Sequence, residues 1–144
     1  FCGTPEYLSP EMILHRKTKS GYGTSVDWWS LGTLMFEMFT GWPPFYDKNL
    51  KTMCENILHL PLTFDDKFKL SDDTKSIILG MLDRDLNNRL GSGKLGINGV
   101  KDHPFYKKID WDKLMSREIK PPFKPSVKSD TDVANFDQVS EELL

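Results

Sequence analysis

The apolar residues of this chain recur at helical spacing over much of its length. The clearest case follows Asp47, a residue type that can cap the start of a helix. Beyond it, apolar residues take the i, i+3, i+4, i+7, i+8 positions that form one side of a helix. The spacing predicts a helix with a buried face made of Leu50, Met53, Cys54, Ile57 and Leu58.

A second helix is predicted from Thr24 or Ser25 to Thr40, and its apolar residues leave no polar stripe. A helix that is apolar nearly all round is normally buried, so we expect this one to be central. Gly41 supplies a left-handed stop, and the two prolines that follow it prevent continuation. The apolar positions are Val26, Trp28, Trp29, Leu31, Leu34, Met35, Phe36, Met38 and Phe39.

Weaker signals predict further helices. Pro10 opens one that runs to about Arg16, and Ser71 caps another, with acidic residues in its first turn. Asn98 and Asp110 are predicted to open two shorter helices. Because no stretch alternates between apolar and polar residues, the fold class is predicted to be mainly α.

The character of the chain changes near Lys108. Three prolines, Pro121, Pro122 and Pro125, enforce extended backbone, and the remaining apolar residues are isolated among charges. We therefore predict two parts, a helical body over 1–108 and an extended tail over 109–144 that wraps another surface.

Composition narrows the possible functions. Nineteen Lys and Arg against 21 Asp and Glu give a formal charge of −2, without a basic run among aromatics, so nucleic acid is not an expected partner. The most apolar stretch is interrupted by polar residues and is too short for a clean membrane span. Cys2 and Cys54 lie far apart and lack metal-ligand spacing with His, so we expect no metal site and a reducing compartment, cytoplasm or nucleus.

The first residues carry the densest chemistry. Gly3 and Pro5 bracket a turn that presents the hydroxyl of Thr4, although Thr often merely braces such turns. Ser9 is predicted to cap the helix that begins at Pro10, which places the Glu11 carboxylate among unpaired backbone donors.

Two further charged residues need partners. Arg89, before the permissive Leu90-Gly91 turn, could meet Glu11 in a planar bidentate contact, or both could be solvated and unrelated. Glu37 lies in a largely apolar helix, where a lone buried charge is costly, so it needs a cation or access to solvent. That cation could belong to a substrate or to an internal Arg.

Several ordered motifs together resemble the eukaryotic protein kinases. Cys-Gly-Thr-Pro-Glu-Tyr-Leu-Ser-Pro-Glu at 2–11 resembles the end of their activation segment, in the wording of the group that contains protein kinases A, B and C. Asp-Trp-Trp-Ser-Leu-Gly at 27–32 resembles the opening of the central large-lobe helix. The motifs at 89–91, 103–105 and 135–137 extend the likeness, which is greatest to protein kinase B and its close relatives.

The resemblance implies that 1–108 is the C-terminal part of the large helical lobe of the bilobal kinase fold and 109–144 its tail. Phosphoryl transfer needs a glycine-rich loop, a Lys–Glu pair, a catalytic Asp and Asn, and a magnesium-binding Asp, and none of these motifs is in the sequence. We expect the segment alone to be inactive, poorly soluble or partly molten, and part of an ATP- and magnesium-dependent serine/threonine kinase. A noncatalytic pseudokinase or a truncated interaction module is the alternative.

The resemblance also implies supporting roles. Glu11 and Arg89 would tie the end of the activation segment to the lobe. Asp27 would accept hydrogen bonds from the catalytic loop backbone, although without the resemblance a favourable contact with the helix dipole would be the preferred explanation. Thr4 would contact the catalytic Asp and a neighbouring Lys. Phe136 would lie near the adenine of ATP.

Substrate contacts are implied for five residues. Phe1, Pro5 and Leu8 would form an apolar pocket for the residue after the phosphoacceptor, unless they are ordinary packing. Glu6 and Glu37 would face basic residues before the acceptor. The expected partners are therefore protein substrates, an upstream activating kinase and the rest of the kinase domain, with membrane contact only through a domain outside this chain.

Overall fold

A computed structural model of the chain describes residues 3–18 and 21–136. Within these ranges no strand forms, and the predicted mainly α class is confirmed. The helices are α1 (Pro10–Thr18), α2 (Ser25–Thr40), α3 (Leu50–His59), α4 (Asp72–Met81), α5 (Gly96–Lys101) and α6 (Trp111–Met115). Short 3₁₀ helices occupy Pro5–Tyr7, Asp66–Phe68 and Pro104–Tyr106.

The chain divides into two compact units, Phe1–Ile109 and Asp110–Leu144. In the second unit, Asp110 accepts a hydrogen bond from the backbone N–H of Lys113 and so caps α6 as predicted. The chain beyond α6 forms no further helix up to residue 136. The division into a lobe over 1–108 and a tail over 109–144 stays a prediction.

The core of the first unit forms where α2 packs against α4. A Cβ added at Gly32 would lie only 2.8 Å from Cβ of Met81, so the glycine is what lets the two helices approach this closely. Trp29 is fully buried beside them and stacks on Phe45 with ring centroids 5.8 Å apart. The central helix α2 therefore packs closely against α4.

Several predicted helix ends are confirmed. Gly41 ends α2 with a φ of 85°, and its N–H donates to the Glu37 carbonyl at 2.7 Å. The Ser71 hydroxyl accepts from the N–H of Thr74 at 3.2 Å and so caps α4.

Three predicted caps were wrong. Asn49, not Asp47, caps α3, because Asp47 instead accepts from the Asn49 N–H at 2.7 Å and shapes the preceding turn. Asn98 lies inside α5, which begins at Gly96. The Ser9 carbonyl accepts from the first turn of α1, but its buried hydroxyl has no hydrogen-bond partner among the described residues.

The prediction that α2 is buried all round was also wrong for the described residues. Leu34 is 42% exposed, Met38 75% and Phe39 41%. The remaining sides of α2 are covered by α4 and by the Pro5–Tyr7 turn. No helix in the described ranges combines the length and the apolarity that a membrane crossing requires.

Candidate functional site

A buried ion pair joins the start of α1 to the loop after α4. Nη1 of Arg89 lies 2.6 Å from Oε1 of Glu11, and Nη2 lies 3.0 Å from Oε2. The Arg89 side chain is fully buried, whereas 16% of the Glu11 side chain is exposed. The structure therefore brings the two residues together in the bidentate geometry that gives charge-assisted hydrogen bonds both strength and direction.

Two further hydrogen bonds hold the guanidinium of Arg89. Nε donates to the Asp83 carbonyl at 2.7 Å, and Nη1 donates to the Ser25 carbonyl at 3.1 Å. The guanidinium lies 5.2 Å from the ring centroid of Trp29. A buried guanidinium is tolerated because its hydrogen bonds replace lost water. One side chain thus connects the beginnings of α1 and α2 to the end of α4.

Glu11 is held in its ionised form. Burial of its carboxyl group would raise the pKa, but the hydrogen bonds from Arg89, from backbone and from the Ser25 hydroxyl outweigh burial and lower the pKa below its ordinary value. The pair is therefore charged on both sides at neutral pH.

A second link connects the first turn to α2. The Tyr7 hydroxyl donates a hydrogen bond to Oε2 of Glu37, and the Ser30 hydroxyl donates to the Tyr7 carbonyl at 3.1 Å. The bond to Glu37, together with burial and the negative charges of Glu37 and Glu6, raises the pKa of Tyr7 above its ordinary value of 10.0. Tyr7 thus fixes the position of the Glu37 carboxylate.

These residues border a cleft of about 270 Å³ on the first unit. Glu6 and Glu37 place two carboxylates in it, and none of the described residues that line it is Lys or Arg. Oε2 of Glu6 is buried and finds no hydrogen-bond partner in the described part of the chain. Because Glu6 and Glu37 both line the cleft and none of its described lining residues is a Lys or Arg, the cleft is suited to a cationic ligand. Its lining consists of Thr4, Glu6, Tyr7, Glu37, Gly41, Trp42, Pro43 and Tyr46.

The other predicted site residues are placed differently. Thr4 is exposed directly before the 3₁₀ helix Pro5–Tyr7, and within the described chain its side chain does not cap that helix. Asp27 is exposed in the first turn of α2 and is not among the hydrogen-bond partners of Glu11 or Arg89 described above. Phe136 belongs to the second unit and is 75% exposed.

The predicted apolar pocket is only partly available. Phe1 lies outside the described residues. Pro5 is half-buried, but Leu8 is 3% exposed and belongs to the hydrophobic core, so it offers almost no surface to a ligand. Leu8 is therefore corrected to a packing residue, since an apolar side chain next to a buried helix start gains more from the core than from solvent.

Four residues of structural importance were not predicted as such. Tyr7, Trp42 and Tyr46 line the cleft, and Arg84 donates to the carbonyls of Asn56, Ile57 and Leu60 at the end of α3. Trp42 could have been singled out from the sequence. It directly follows Gly41, which ends α2, so its aromatic side chain cannot lie on the buried face of that helix. Arg84 carried no such signal, since its partners are backbone atoms 24 to 28 residues away.

Comparison with known proteins decides the family. The protein kinase domain family matches residues 1–106, which is most of the chain. The chain belongs to the protein kinase family. Its helical unit is therefore part of the helical lobe of a kinase domain, and the kinase resemblance seen in the sequence is confirmed.

Individual relatives agree. The chain is 50% identical over 137 residues to the serine/threonine-protein kinase gad8 of Schizosaccharomyces pombe, covering 95% of this chain and 23% of that protein. It is 49% identical over 138 residues to YPK2/YKR2 of Saccharomyces cerevisiae, with 96% and 19% covered. It is 43% identical over 143 residues to sgk-1 of Caenorhabditis elegans, with 99% and 29% covered. The chain thus spans less than a third of the length of these relatives.

Relatives of this kind imply the use of ATP and magnesium by a whole kinase. The described residues contain no group of three or more His, Cys, Asp and Glu that could hold a metal ion.

Proposed function

We propose that this chain is the peptide-binding and supporting part of a serine/threonine protein kinase that phosphorylates proteins with basic residues before the acceptor. The observation that carries the proposal is the acidic cleft. It holds two carboxylates and no cation among its described lining, and one carboxylate oxygen is buried without a donor. An Arg or Lys side chain of a substrate would supply the positive charge that the described lining lacks and N–H donors for the carboxylates.

Glu37 is the stronger of the two cation ligands on this proposal. Its carboxylate is oriented by the Tyr7 hydroxyl, so it does not have to be ordered when a substrate binds. Glu6 provides the second charge from the neighbouring turn. Thr4 presents its exposed hydroxyl toward the reacting groups of the complete kinase, and Pro5 contacts the residue after the acceptor.

The remaining predicted residues support this surface. The ion pair of Glu11 and Arg89 fixes the turn that carries Thr4, Pro5 and Glu6 to the body of the lobe. Asp27 holds the backbone of the catalytic loop. Phe136 contacts the adenine of ATP.

The rest of the kinase would complete the reaction. It would supply the residues that bind ATP and magnesium and the Asp that positions the substrate hydroxyl. An upstream kinase would activate the whole protein, and a reducing compartment, cytoplasm or nucleus, fits the two widely separated cysteines.

The test uses the full-length protein that contains this chain and two peptides, one with arginines before a serine and one with neutral residues there. We expect a preference for the basic peptide that Glu37→Gln lowers about ten-fold or more in kcat/KM, because a charge-assisted hydrogen bond is lost. The glutamine can still accept from Tyr7, so the change removes charge with little change of shape. Glu55→Gln, at an exposed position on α3 outside the cleft, is the matched control.

Two results would overturn the proposal. An unchanged peptide preference in Glu37→Gln would remove the cleft from substrate binding. Peptide binding without phosphoryl transfer by the full-length protein would instead support the noncatalytic alternative, a pseudokinase or interaction module.

A further inference from the structure

The end of α3 lacks the glycine that commonly closes a helix, and Arg84 takes its place. The chain leaves α3 through an extended Leu60, and a proline follows. The last carbonyls of a helix have no partner within the helix. Nε of Arg84 donates to the Ile57 carbonyl at 2.8 Å. Nη2 donates to the carbonyls of Asn56 and Leu60, at 3.2 Å and 2.6 Å. One guanidinium therefore binds three carbonyls at this helix end.

The same guanidinium contacts the turn that follows α2. It lies 5.3 Å from the ring centroid of Phe45. That ring is 3% exposed and stacks on Trp29 of α2. The Phe45 carbonyl accepts a hydrogen bond from Nδ2 of Asn56 at 3.4 Å. Phe45 is thus held by the central helix, by the end of α3 and by Arg84.

The residues around Phe45 form part of the acidic cleft. Tyr46 follows it directly, Pro43 lies two positions before it, and both line the cleft. The backbone N–H of Tyr46 donates to the Pro43 carbonyl at 3.5 Å, which closes the turn over 43–46. A displacement of the buried Phe45 ring would therefore move this wall of the cleft.

We propose that Arg84 is a positioning residue for peptide binding, which fixes the turn over 43–46, and with it one wall of the cleft, against the end of α3. The inference rests on the proposed function and adds to it a residue outside the cleft on which peptide binding depends. Arg84 is not among the residues that line the cleft, so it acts through Phe45 and not by touching the peptide.

The chemistry of the guanidinium suits this role. Its N–H groups lie in one plane and can bind several carbonyls, while its face can rest on an aromatic ring. The ammonium group of a lysine is a compact charge that cannot present a plane to the ring and a fork of donors to the helix end together. A wall that is already fixed does not have to be ordered when a peptide binds, which favours affinity.

The test measures steady-state kinetics of the full-length protein, with ATP and the peptide that carries arginines before a serine varied separately. Arg84→Met keeps an unbranched side chain without donors or charge, whereas Arg84→Lys keeps the charge. We expect the KM for the peptide to rise about three- to ten-fold in Arg84→Met, and less in Arg84→Lys, because charged hydrogen bonds are lost. Both kcat and the KM for ATP should stay within about two-fold of wild type, since only binding of the peptide is weakened. Lys51→Met removes an exposed cation near the start of α3, outside the cleft, and as the matched control should leave the KM for the peptide unchanged.

A purely structural role would give a different result. If Arg84 only stabilised the fold, its variants would contain less active protein, so kcat would fall while the KM for the peptide stayed at the wild-type value. That result would overturn the inference, and so would wild-type kinetics in both Arg84 variants. The proposed function would stand in either case if the wild type prefers the basic peptide and Glu37→Gln weakens that preference. Equal use of basic and neutral peptides by the wild type would overturn both proposals.

Discussion

Gly91 lies directly against the indole of Trp28. A Cβ added at Gly91 would lie 2.3 Å from Cδ2 of that ring, and the glycine has a φ of +93°. Both facts concern the residue two positions after Arg89, so the turn that delivers the buried guanidinium depends on the lack of a side chain at this point. The Leu90-Gly91 turn is required by packing as well as by backbone conformation.

Gly91→Ala should therefore destabilise the protein by about 2–4 kcal/mol, from left-handed strain together with overpacking against Trp28. Gly96→Ala is the matched control, because Gly96 also has a positive φ of 51° but an added Cβ there meets nothing within 4 Å. The control should lose only about 1 kcal/mol. Urea unfolding followed by tryptophan fluorescence would measure both, and equal losses would show that the contact with Trp28 contributes nothing.

The Glu11–Arg89 pair predicts a defined dependence of stability on pH. The pKa of Glu11 is lowered in the folded state from its ordinary value of 4.5, so ionisation of Glu11 favours folding. This contribution is fully present above about pH 4.5 and is lost as the pH falls through the folded-state pKa. Glu11→Gln should accordingly be less stable than wild type at neutral pH, with the difference shrinking in acid.

Urea midpoints measured across the acid range for the two proteins would check this. Asp66→Asn, which alters an exposed carboxylate in the Asp66–Phe68 turn, serves as the reference for unrelated acid effects. A difference between wild type and Glu11→Gln that stays constant down to the most acidic point would show that the pair does not titrate as predicted.

The Tyr7–Glu37 hydrogen bond predicts a loss of stability on the alkaline side of the pH range. The pKa of Tyr7 is raised above 10.0, first by its bond to Glu37, so the stability it contributes is present below that pH and is lost as the pH rises through the folded-state pKa. Glu37→Gln removes the negative charge, so the pKa of Tyr7 should move back toward 10.0. The pKa of Tyr7 can be measured by ultraviolet titration as the difference between a protein with Tyr7 and its Tyr7→Phe variant. The measurement is made once in the wild type and once in Glu37→Gln.

The sequence predicted the positions of helices better than it predicted the residues that cap them. The apolar spacing located α3 and α4, and Gly41 located the end of α2. Asp47 failed as a cap because Asn49, two residues on, was an equally good capping type, and only the path of the chain decides which side chain meets the free N–H groups. Residue type indicates that a cap exists nearby, while tertiary structure selects the residue.

In the candidate site, too, the sequence indicated which residues matter and the tertiary structure decided where they lie. The motif at 2–11 indicated a carboxylate at the start of a helix, and the motif at 89–91 indicated an arginine that needed a partner. Leu8 was assigned to a ligand pocket because the kinase resemblance implied it, with ordinary packing as the alternative. It is buried, since neighbours from distant parts of the chain cover it, and such neighbours leave no local pattern.

By itself the sequence determined the helical class, the family and the residues with charge to place, because apolar periodicity and short motifs depend on local spacing. Only the tertiary structure decided that Tyr7 orients Glu37, that Trp42 shares a cleft with two carboxylates, and that Arg84 closes the end of α3. The hydrogen bonds of Tyr7 and Arg84, and the meeting of Trp42 with Glu6, join residues that are far apart in the chain. Their formation depends on how whole helices pack, which no short stretch of residues encodes.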